Sequence, residues 1–285
     1  MHATERRERL RRYLSADTCL RPASVFDPVS SRIAYALGFE VGMLGGSIAS
    51  HTILGAPDLA VMTLTELASQ CYRITRASDL SLLVDADNAY GNALSARRTV
   101  QELEAAGVSG MTIEDTVLPQ RFGHQGEEEL IPLEEMLGKL RASVEARQDP
   151  AMVIFARTHA INATSFEDAV ARVRAYAETG VDGIFVLGAK EIAQIEAVRK
   201  VTALPFMLGA TPTAITNEML APLGVKIVLR GHGTFNAAVK AIYDSLKHQA
   251  GGGAPAEVSD TFASAEVMRM ATGGEAYAAW QASYL

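Results

Sequence analysis

A transition from a helical stretch, through a glycine, into a short apolar run occurs four times in this chain, at Gly38, Gly107, Gly180 and Gly224. Glycine is favoured just after a helix C-terminus, because the backbone often turns left-handed there. The runs that follow these glycines, with four similar runs elsewhere, make eight candidate strands: Ala23–Phe26, Val41–Leu44, Leu80–Val84, Met111–Ile113, Met152–Ala156, Ile184–Leu187, Phe206–Leu208 and Ile227–Leu229.

The candidate strands lack strict polar–apolar alternation, as expected for strands that are buried on both faces. Helical periodicity separates them, for example over Phe166–Ala177, where Thr164 and Glu167 predict a capping box at the helix start. Eight alternating units predict an α/β fold of the (β/α)8 TIM-barrel type, whose typical length is about 250 residues. A doubly wound open sheet is the alternative, but no GxGxxG fingerprint follows the first strand.

Charge and apolar patterning exclude several classes of protein. The net charge of −7 argues against a nucleic-acid or acidic-membrane binder. No stretch approaches the roughly 20 apolar residues of a membrane span. The basic start, Arg6–Arg12, lacks a following apolar run, so it predicts a short surface helix and not a signal peptide. Cys19 and Cys71 fit neither a disulfide framework nor a zinc site, so we expect a reduced, cytoplasmic protein.

The chain divides into two expected parts. Residues 1–250 hold the catalytic barrel and its short N-terminal helix, and residues 251–285 form a linker and a C-terminal helical tail. Gly251–Gly253 marks the linker, and the tail carries Tyr277, Trp280 and Tyr284. These aromatic residues pack either on their own barrel or on a neighbouring subunit, and the residue pattern leaves both open.

Carboxylates follow two adjacent predicted strands. Asp85 and Asp87 come after one strand, and Glu114 comes after the next. The active site of a TIM barrel lies at the carboxyl ends of its strands, so we expect these side chains to converge there. Three carboxylates suit a hard divalent cation such as Mg²⁺. The alternatives are capping of the next helix by Asp87 or Asn88, or a salt bridge within the barrel.

Three further strand ends carry groups suited to an anionic substrate. Arg157 ends an apolar strand, where its planar fork can bind a carboxylate or form a structural ion pair with Glu114 or Asp85. Gly45–Ser47 begins a helix, whose backbone N–H groups can hold a carboxylate; an ordinary serine N-cap is the alternative. His232 lies between two glycines at another helix start, as a substrate contact or as a capping or buried histidine.

Five segments, taken in order, resemble the isocitrate lyase and phosphoenolpyruvate mutase superfamily over about residues 20–248. They are Ser24–Pro28, Gly45–Ser47, Asp85–Gly91, Glu114–Asp115 and Ala156–Thr158. The resemblance implies a (β/α)8 barrel, a Mg²⁺ site that Mn²⁺ can also fill, and a small α-keto acid or hydroxy diacid as substrate. It also implies a homotetramer, a dimer of dimers, in which a C-terminal helix is exchanged between subunits.

The loop after the fourth strand narrows the reaction. Lyases of this superfamily carry Pro-Lys-x-Cys-Gly-His there, whereas this chain has Phe122 in place of the essential cysteine and Gln120 in place of the lysine. The mutase loop uses an asparagine, and no obvious equivalent stands here. The remaining branch, which resembles this chain throughout, decarboxylates oxaloacetate. A C–C lyase of the methylisocitrate type or a C–P bond enzyme of the mutase type is the alternative, and a non-catalytic keto-acid sensor is a further one.

The resemblance to that carboxy-lyase branch also implies roles for individual residues. Mg²⁺ binds Asp85 directly and contacts Asp87 and Glu114 through water. Gly46, Ser47, Arg157 and His232 bind the substrate, and Arg157 and His232 also act in catalysis. The expected reaction converts oxaloacetate to pyruvate and CO₂ through a metal-stabilised enolate. Asp58 matches another aspartate of the family, with a role that the sequence leaves open.

Overall fold

The computed structural model describes residues 1–124, 126 and 128–285 and shows one sheet of eight parallel strands in sequential order. The strands are β1 (Ala23–Ser24), β2 (Val41–Leu44), β3 (Ser81–Asp85), β4 (Gly110–Glu114), β5 (Val153–Thr158), β6 (Gly183–Val186), β7 (Phe206–Leu208) and β8 (Val225–Val228). Leu20 closes the ring, because its N–H donates to Lys226 O at 2.9 Å and its carbonyl accepts from Val228 N at 3.1 Å. The (β/α)8 prediction is confirmed.

Helices surround the sheet. They are α1 (Ala3–Ser15), α2 (Pro28–Ala36), α3 (Gly46–Ile53), α4 (Leu64–Thr75), α5 (Ala93–Ala105), α6 (Leu133–Ala146), α7 (Ala160–Ala163), α8 (Phe166–Ala177), α9 (Ile192–Arg199), α10 (Asn217–Leu220), α11 (Gly233–Ala250), α12 (Ala265–Thr272) and α13 (Gly274–Tyr284), with 3₁₀ turns at Ala221–Leu223 and Pro255–Thr261. None of the helices in the described residues is long and apolar enough to cross a membrane.

All eight predicted strands exist, with ends displaced by at most two residues. The predicted capping box of α8 is wrong by one position. Ser165 is the N-cap, and its Oγ accepts from the Asp168 N–H at 3.1 Å. Thr164 instead donates its hydroxyl to the Asp168 carboxylate at 2.7 Å. Both hydroxyl residues suit a cap, so only the backbone conformation distinguishes them.

The N-terminal helix α1 closes the amino end of the barrel, so its prediction as a surface helix is wrong. Leu10 and Leu14 are buried among the inward-facing residues of the strands. The arginines bond the polar groups at the strand entrances: Arg7 Nε donates to Val108 O at 3.0 Å, and Arg9 Nε donates to Ser81 Oγ at 3.0 Å. Since α1 covers this end, the opposite, carboxyl end is left for chemistry.

The last helices differ in how they contact the barrel. Helix α12 packs on α2 and buries Ala271, whereas α11 buries none of its residues against the described chain. The tail therefore contacts its own barrel through α12. Exchange of a C-terminal helix between subunits stays a prediction.

Candidate active site at the carboxyl end of the barrel

Arg157 lies between two carboxylates at the carboxyl end of the barrel. Its Nη1 bonds Asp85 Oδ2, and its Nη2 lies 3.0 Å from Glu114 Oε2. The sheet register explains this, because Glu114 and Arg157 are direct partners on β4 and β5, and Asp85 ends the neighbouring β3. Both ion pairs considered from the sequence are formed. Two of the five guanidinium N–H groups are used in this way, so others remain to meet a ligand.

Glu114 is held as a carboxylate. Burial alone would raise the pKa of Glu114, but Arg157 and the bond to His159 outweigh burial and lower the pKa to about 2. His159 Nε2 lies 3.0 Å from Glu114 Oε2 and 3.1 Å from Arg157 Nε. One nitrogen cannot accept from Arg157 and donate to Glu114 together, so we assign its proton to the bond with the carboxylate. Glu114 thus presents a fixed negative charge to the site.

Asp87 stands in a strained turn after β3. Asp87, Ala89 and Tyr90 have φ of +47°, +60° and +59°, a region that non-glycine residues seldom adopt. The Glu114 N–H donates to Asp87 O at 2.9 Å, and Asn88 Nδ2 donates to Leu118 O at 2.8 Å. The capping alternative is wrong, because Asn92 caps α5. Strain of this kind persists only where neighbours hold it, and such places cluster at functional sites.

The Asp87 carboxylate accepts no hydrogen bond from the described chain, although neighbouring groups crowd it. A Cβ on Gly46 would lie 2.5 Å from Asp87 Oδ1, so only glycine permits this approach of α3. Burial raises the pKa of Asp87 well above its usual range, and the charges of Asp85 and Glu114 add to the rise. A bound cation would relieve the repulsion among the three carboxylates. Their negative charge is therefore suited to a metal ion.

The spacing of these groups limits how a metal is held. Among the described residues, no three acidic, histidine or cysteine side chains lie close enough together to enclose an ion by themselves. Asp85 and Glu114 each turn an oxygen toward Arg157. Such a site suits Mg²⁺, which keeps several waters and takes only one or two carboxylates directly.

His232 approaches the same rim from β8. It occupies the N-cap position of α11 but its side chain makes no capping bond, so the capping alternative is wrong. Its Nδ1 lies 3.1 Å from Ser24 Oγ, and a Cβ on Gly45 would lie 2.6 Å from its Cε1. Burial lowers the pKa of His232 below the ordinary histidine value, and Asp85 opposes this only in part. The ring is therefore neutral near pH 7.

The N-terminus of α3 supplies backbone donors beside these side chains. Gly45 is the N-cap residue and Ser47 lies inside the first turn, so the serine N-cap alternative is wrong. Gly45 meets His232 and Gly46 meets Asp87, which brings the start of α3 against both the histidine and the carboxylates. All predicted site residues thus lie on one rim, at the ends of β2, β3, β4, β5 and β8.

Two residues that shape the site, His159 and Asp115, were not predicted as members. His159 follows Arg157 by two positions, and only the turn into α7 brings its ring back to Glu114. Asp115, beside Glu114, points away and accepts from Thr158 Oγ1 at 2.7 Å and Tyr176 OH at 2.8 Å, which fixes the end of β5. A polar residue directly after Arg157-Thr158 was the available signal for His159.

Two other residues lie at the margin of the site. Asp58 is exposed to solvent, yet partial desolvation and then the charges of Asp85 and Glu114 raise its pKa, which places it within electrostatic range of the cluster. Phe122, at the lyase cysteine position, is 100% exposed, and its side chain offers no proton.

Known proteins resemble this chain along most of its length. The family model described as phosphoenolpyruvate phosphomutase matches residues 10–250. A relative from Rhodopseudomonas palustris (strain BisB18), named oxaloacetate decarboxylase, is 52% identical over 94% of this chain and 92% of its own length. The prediction of a carbon–carbon lyase is confirmed by these relatives.

Two solved structures share the fold of this chain along nearly its whole length. Oxaloacetate acetylhydrolase in complex with the inhibitor 3,3-difluorooxalacetate is 26% identical, covers 98% of this chain and 97% of its own, and has a TM-score of 0.86. Phosphonopyruvate hydrolase in complex with oxalate and Mg²⁺ is 28% identical, covers 100% and 99%, and has a TM-score of 0.84. The chain belongs to the phosphoenolpyruvate mutase family, within the isocitrate lyase and phosphoenolpyruvate mutase superfamily.

Proposed function

We propose that this chain decarboxylates oxaloacetate to pyruvate and CO₂ and needs Mg²⁺ to do so. The observation that carries the proposal is the cluster of Asp85, Asp87 and Glu114 around Arg157, in which negative charge outnumbers positive charge. The relatives named oxaloacetate decarboxylase support the choice of substrate. The complex of a structural neighbour with oxalate and Mg²⁺ supports the choice of metal.

Asp85 would hold the ion directly, with Asp87 and Glu114 holding it through water, and the ion (Mg²⁺, or Mn²⁺ in its place) would supply Lewis-acid chemistry at the keto oxygen. The free N–H groups of Arg157 are the chain's own donors to that oxygen. Loss of the C4 carboxylate places charge on it, and donors fixed in advance toward such charge are worth roughly 3–4 kcal/mol each. Arg157 is fixed in advance by Asp85 and Glu114.

The start of α3 binds the other end of the substrate. The N–H groups of Gly46 and Ser47 lie in the first helical turn, where they can donate hydrogen bonds to the C1 carboxylate without a side-chain charge. Because both residues lie beside Asp87 and His232, the carboxylate and the keto oxygen would be held on one rim.

His232 suits the departing carboxylate because its ring is neutral near pH 7. A cation there would stabilise the C4 carboxylate before it leaves and so slow the reaction. A neutral ring held by Ser24 can orient this group without that penalty. To protonate the enolate instead, the ring would first take up a proton from solvent after CO₂ has left and then pass that proton to the enolate carbon. The two roles remain alternatives.

An enzyme acting on another C–C bond, or on a C–P bond, is the second candidate. The likeness to phosphonopyruvate hydrolase favours it. Against it stands Phe122, which provides no acid at the position where the lyases carry cysteine.

The deciding experiment is a turnover assay with oxaloacetate and Mg²⁺ that measures pyruvate through lactate dehydrogenase. A blank without enzyme corrects for uncatalysed loss. The same assay runs over a panel of phosphonopyruvate, methylisocitrate and substituted malates. Pyruvate formation from oxaloacetate at a higher kcat/KM than any panel member is expected, and a panel member with higher kcat/KM contradicts the proposal.

A further inference from the structure

A cavity lies at the end of the barrel opposite the candidate active site. It has a volume of about 1510 Å³, is broadly open to solvent, and is lined by α2, α4, α12 and α13 together with the chain that enters β3 and β4. Asp79 and Gly107, which line it, precede β3 and β4, whereas the candidate active site lies where these strands end. Small-molecule sites typically have volumes of roughly 300–1,000 Å³. The cavity exceeds this range, so it has room for a ligand of that size.

The charge of this cavity is opposite to that of the whole chain. Five arginines line it, namely Arg6, Arg32, Arg73, Arg76 and Arg269, and the lining carboxylates are only three, Asp79, Glu266 and Glu275. Because the net charge of the chain is −7, the arginines at this cavity form a locally basic surface on an acidic protein. Several guanidinium groups that face one space raise the local concentration of anions there.

Four of these guanidinium groups lack a carboxylate within the part of the chain that the structure describes; the fifth, that of Arg6, lies 4.0 Å from Asp79 Oδ1. Arg32 Nε donates to the backbone carbonyl of Ala77 at 3.1 Å. The side chains of Arg73 and Arg269 make no hydrogen bond or ion pair there, and the guanidinium of Arg76 lies over the ring of Tyr72, 5.4 Å from its centroid. Arginine side chains usually find anionic partners at close quarters, because their fork binds carboxylate and phosphate oxygens in pairs.

Arg6 adds a buried donor to the cavity wall. It is 8% exposed, its Nη1 donates to Thr75 O at 2.9 Å, and its Nε meets no acceptor in the described chain. A buried donor without a partner is costly, by about 1–3 kcal/mol, so such groups in native proteins call for an explanation. A bound anion or an ordered water provides one.

Aromatic rings line the same space. Tyr35 and Tyr72 come from the barrel helices, and Tyr277 and Trp280 come from the tail, with their ring centroids 5.1 Å apart. All four rings are partly exposed, which for large apolar groups marks a surface available for contact. Rings beside guanidinium groups recognise a flat base that carries phosphates, since the rings stack on the base and the arginines bind the phosphates.

We propose that this cavity binds a nucleoside diphosphate, with its phosphates among Arg73, Arg76 and Arg269 and its base against Trp280 and Tyr277. A small dicarboxylate, the substrate class of the opposite rim, would leave the rings unused. The site is independent of the proposed function, because no residue is shared between the two ends of the barrel.

Trp280 provides the test, because it is the only tryptophan in the chain. The full-length protein is titrated with ADP in EDTA, which removes divalent ions from the opposite site, and its tryptophan emission is recorded. A saturable change is expected, and isothermal titration calorimetry should give the same Kd. Arg73→Gln, Arg76→Gln and Arg269→Gln should each raise Kd about ten-fold or more, the scale of one lost bond to a charged group.

Arg174→Gln is the matched control. Arg174 is exposed on α8, away from the cavity, and its loss changes the net charge by the same amount. ADP affinity should stay at the wild-type value in this variant. Circular dichroism should show that all four variants are folded, which is expected because Arg73, Arg76, Arg174 and Arg269 lie at exposed positions.

Three results overturn the proposal. ADP that causes neither a saturable emission change nor heat shows that no nucleotide binds. Affinity that is unchanged in the three arginine variants places any binding elsewhere. Pyrophosphate that binds as tightly as ADP shows that the rings contribute nothing and removes the nucleotide assignment. If Trp280 emission changes with protein concentration but not with ADP, no nucleotide binds and the proposal also fails. That outcome indicates that a second copy of the chain covers the cavity.

Discussion

At the scale of single residues, the site depends on how negative charge is shared around Arg157. Asp85 and Glu114 both neutralise this arginine, whereas Asp87 has no donor in the described chain and keeps a raised pKa through burial and its neighbours. The types and order of these residues were predictable from the sequence. The left-handed turn that aims Asp87 was not, because Asp87, Ala89 and Tyr90 are not glycines and reveal no positive φ in a sequence.

Replacing Asp85 tests the metal hypothesis. Asp85→Ala should reduce turnover of oxaloacetate to background, because it removes the proposed direct ligand and one of the two anchors of Arg157. EDTA should silence the wild type, and Mg²⁺ or Mn²⁺ should restore it. Turnover is measured with thermal unfolding as the check on folding. Full activity in excess chelator would refute the metal requirement.

His232→Asn tests whether the ring acts on the substrate. Asparagine is also a good N-cap, so a purely capping role predicts no effect. We expect kcat/KM to fall about ten-fold or more, the scale of one lost hydrogen bond to a charged group, with Mg²⁺ affinity unchanged. Burial lowers the pKa of His232, so the neutral form persists at pH 7 and protonation should reduce kcat/KM only below about pH 6.5. A fully active variant removes His232 from the site.

Phe122 stands where the lyases of this superfamily carry cysteine, and this difference predicts that a reaction is absent. A phenylalanine cannot transfer a proton, and its side chain is fully exposed. We therefore expect no cleavage of methylisocitrate or isocitrate above the blank, measured as succinate and glyoxylate or pyruvate by chromatography. Product release at rates comparable to oxaloacetate turnover would instead favour the lyase branch.

At the scale of elements, the strands and helix α1 were predictable, but the place of α1 across the end of the barrel was not. A glycine after a helix and an apolar run are local signals, so all eight strands were found within two residues. Taken from the sequence alone, the arginines of α1 indicate a helix that is exposed to solvent. In the barrel, Arg7 and Arg9 bond Val108 O and Ser81 Oγ, groups that lie far along the chain and become neighbours only when the sheet closes.

The closing role of α1 predicts a specific loss of stability. Leu10 is 0% exposed inside the barrel end, so Leu10→Ala should lower the free energy of unfolding by about 2–5 kcal/mol through lost burial and a cavity. Leu94→Ala is the control, because Leu94 is 75% exposed in the first turn of α5 and should change stability by less than about 0.5 kcal/mol. Urea unfolding followed by circular dichroism measures both. Equal losses would contradict the inward packing of Leu10.

At the scale of the whole molecule, one chain leaves apolar surface uncovered. Val239, Ile242, Tyr243 and Leu246 recur at i, i+3, i+4 and i+7 on α11, and all are exposed. A stripe with this spacing normally faces a protein partner. The sequence located the tail and its aromatic residues. It could not show that α12 contacts the barrel while this stripe on α11 stays uncovered, since both helices have apolar residues.

This uncovered stripe supports the predicted homotetramer, a dimer of dimers. Burying one large apolar side chain contributes roughly 1.5–3 kcal/mol, so four on each α11 provide a strong reason to associate. We expect a tetramer by light scattering at micromolar concentration, and smaller species for Ile242→Asp, which places a charge in the stripe. Gln249→Asp, exposed on the same helix, should keep the tetramer. Removal of Ser259–Leu285, which deletes α12 and α13, should also weaken assembly. A monodisperse wild-type monomer would show that α11 needs no second copy, and would leave its exposed apolar face unexplained by association.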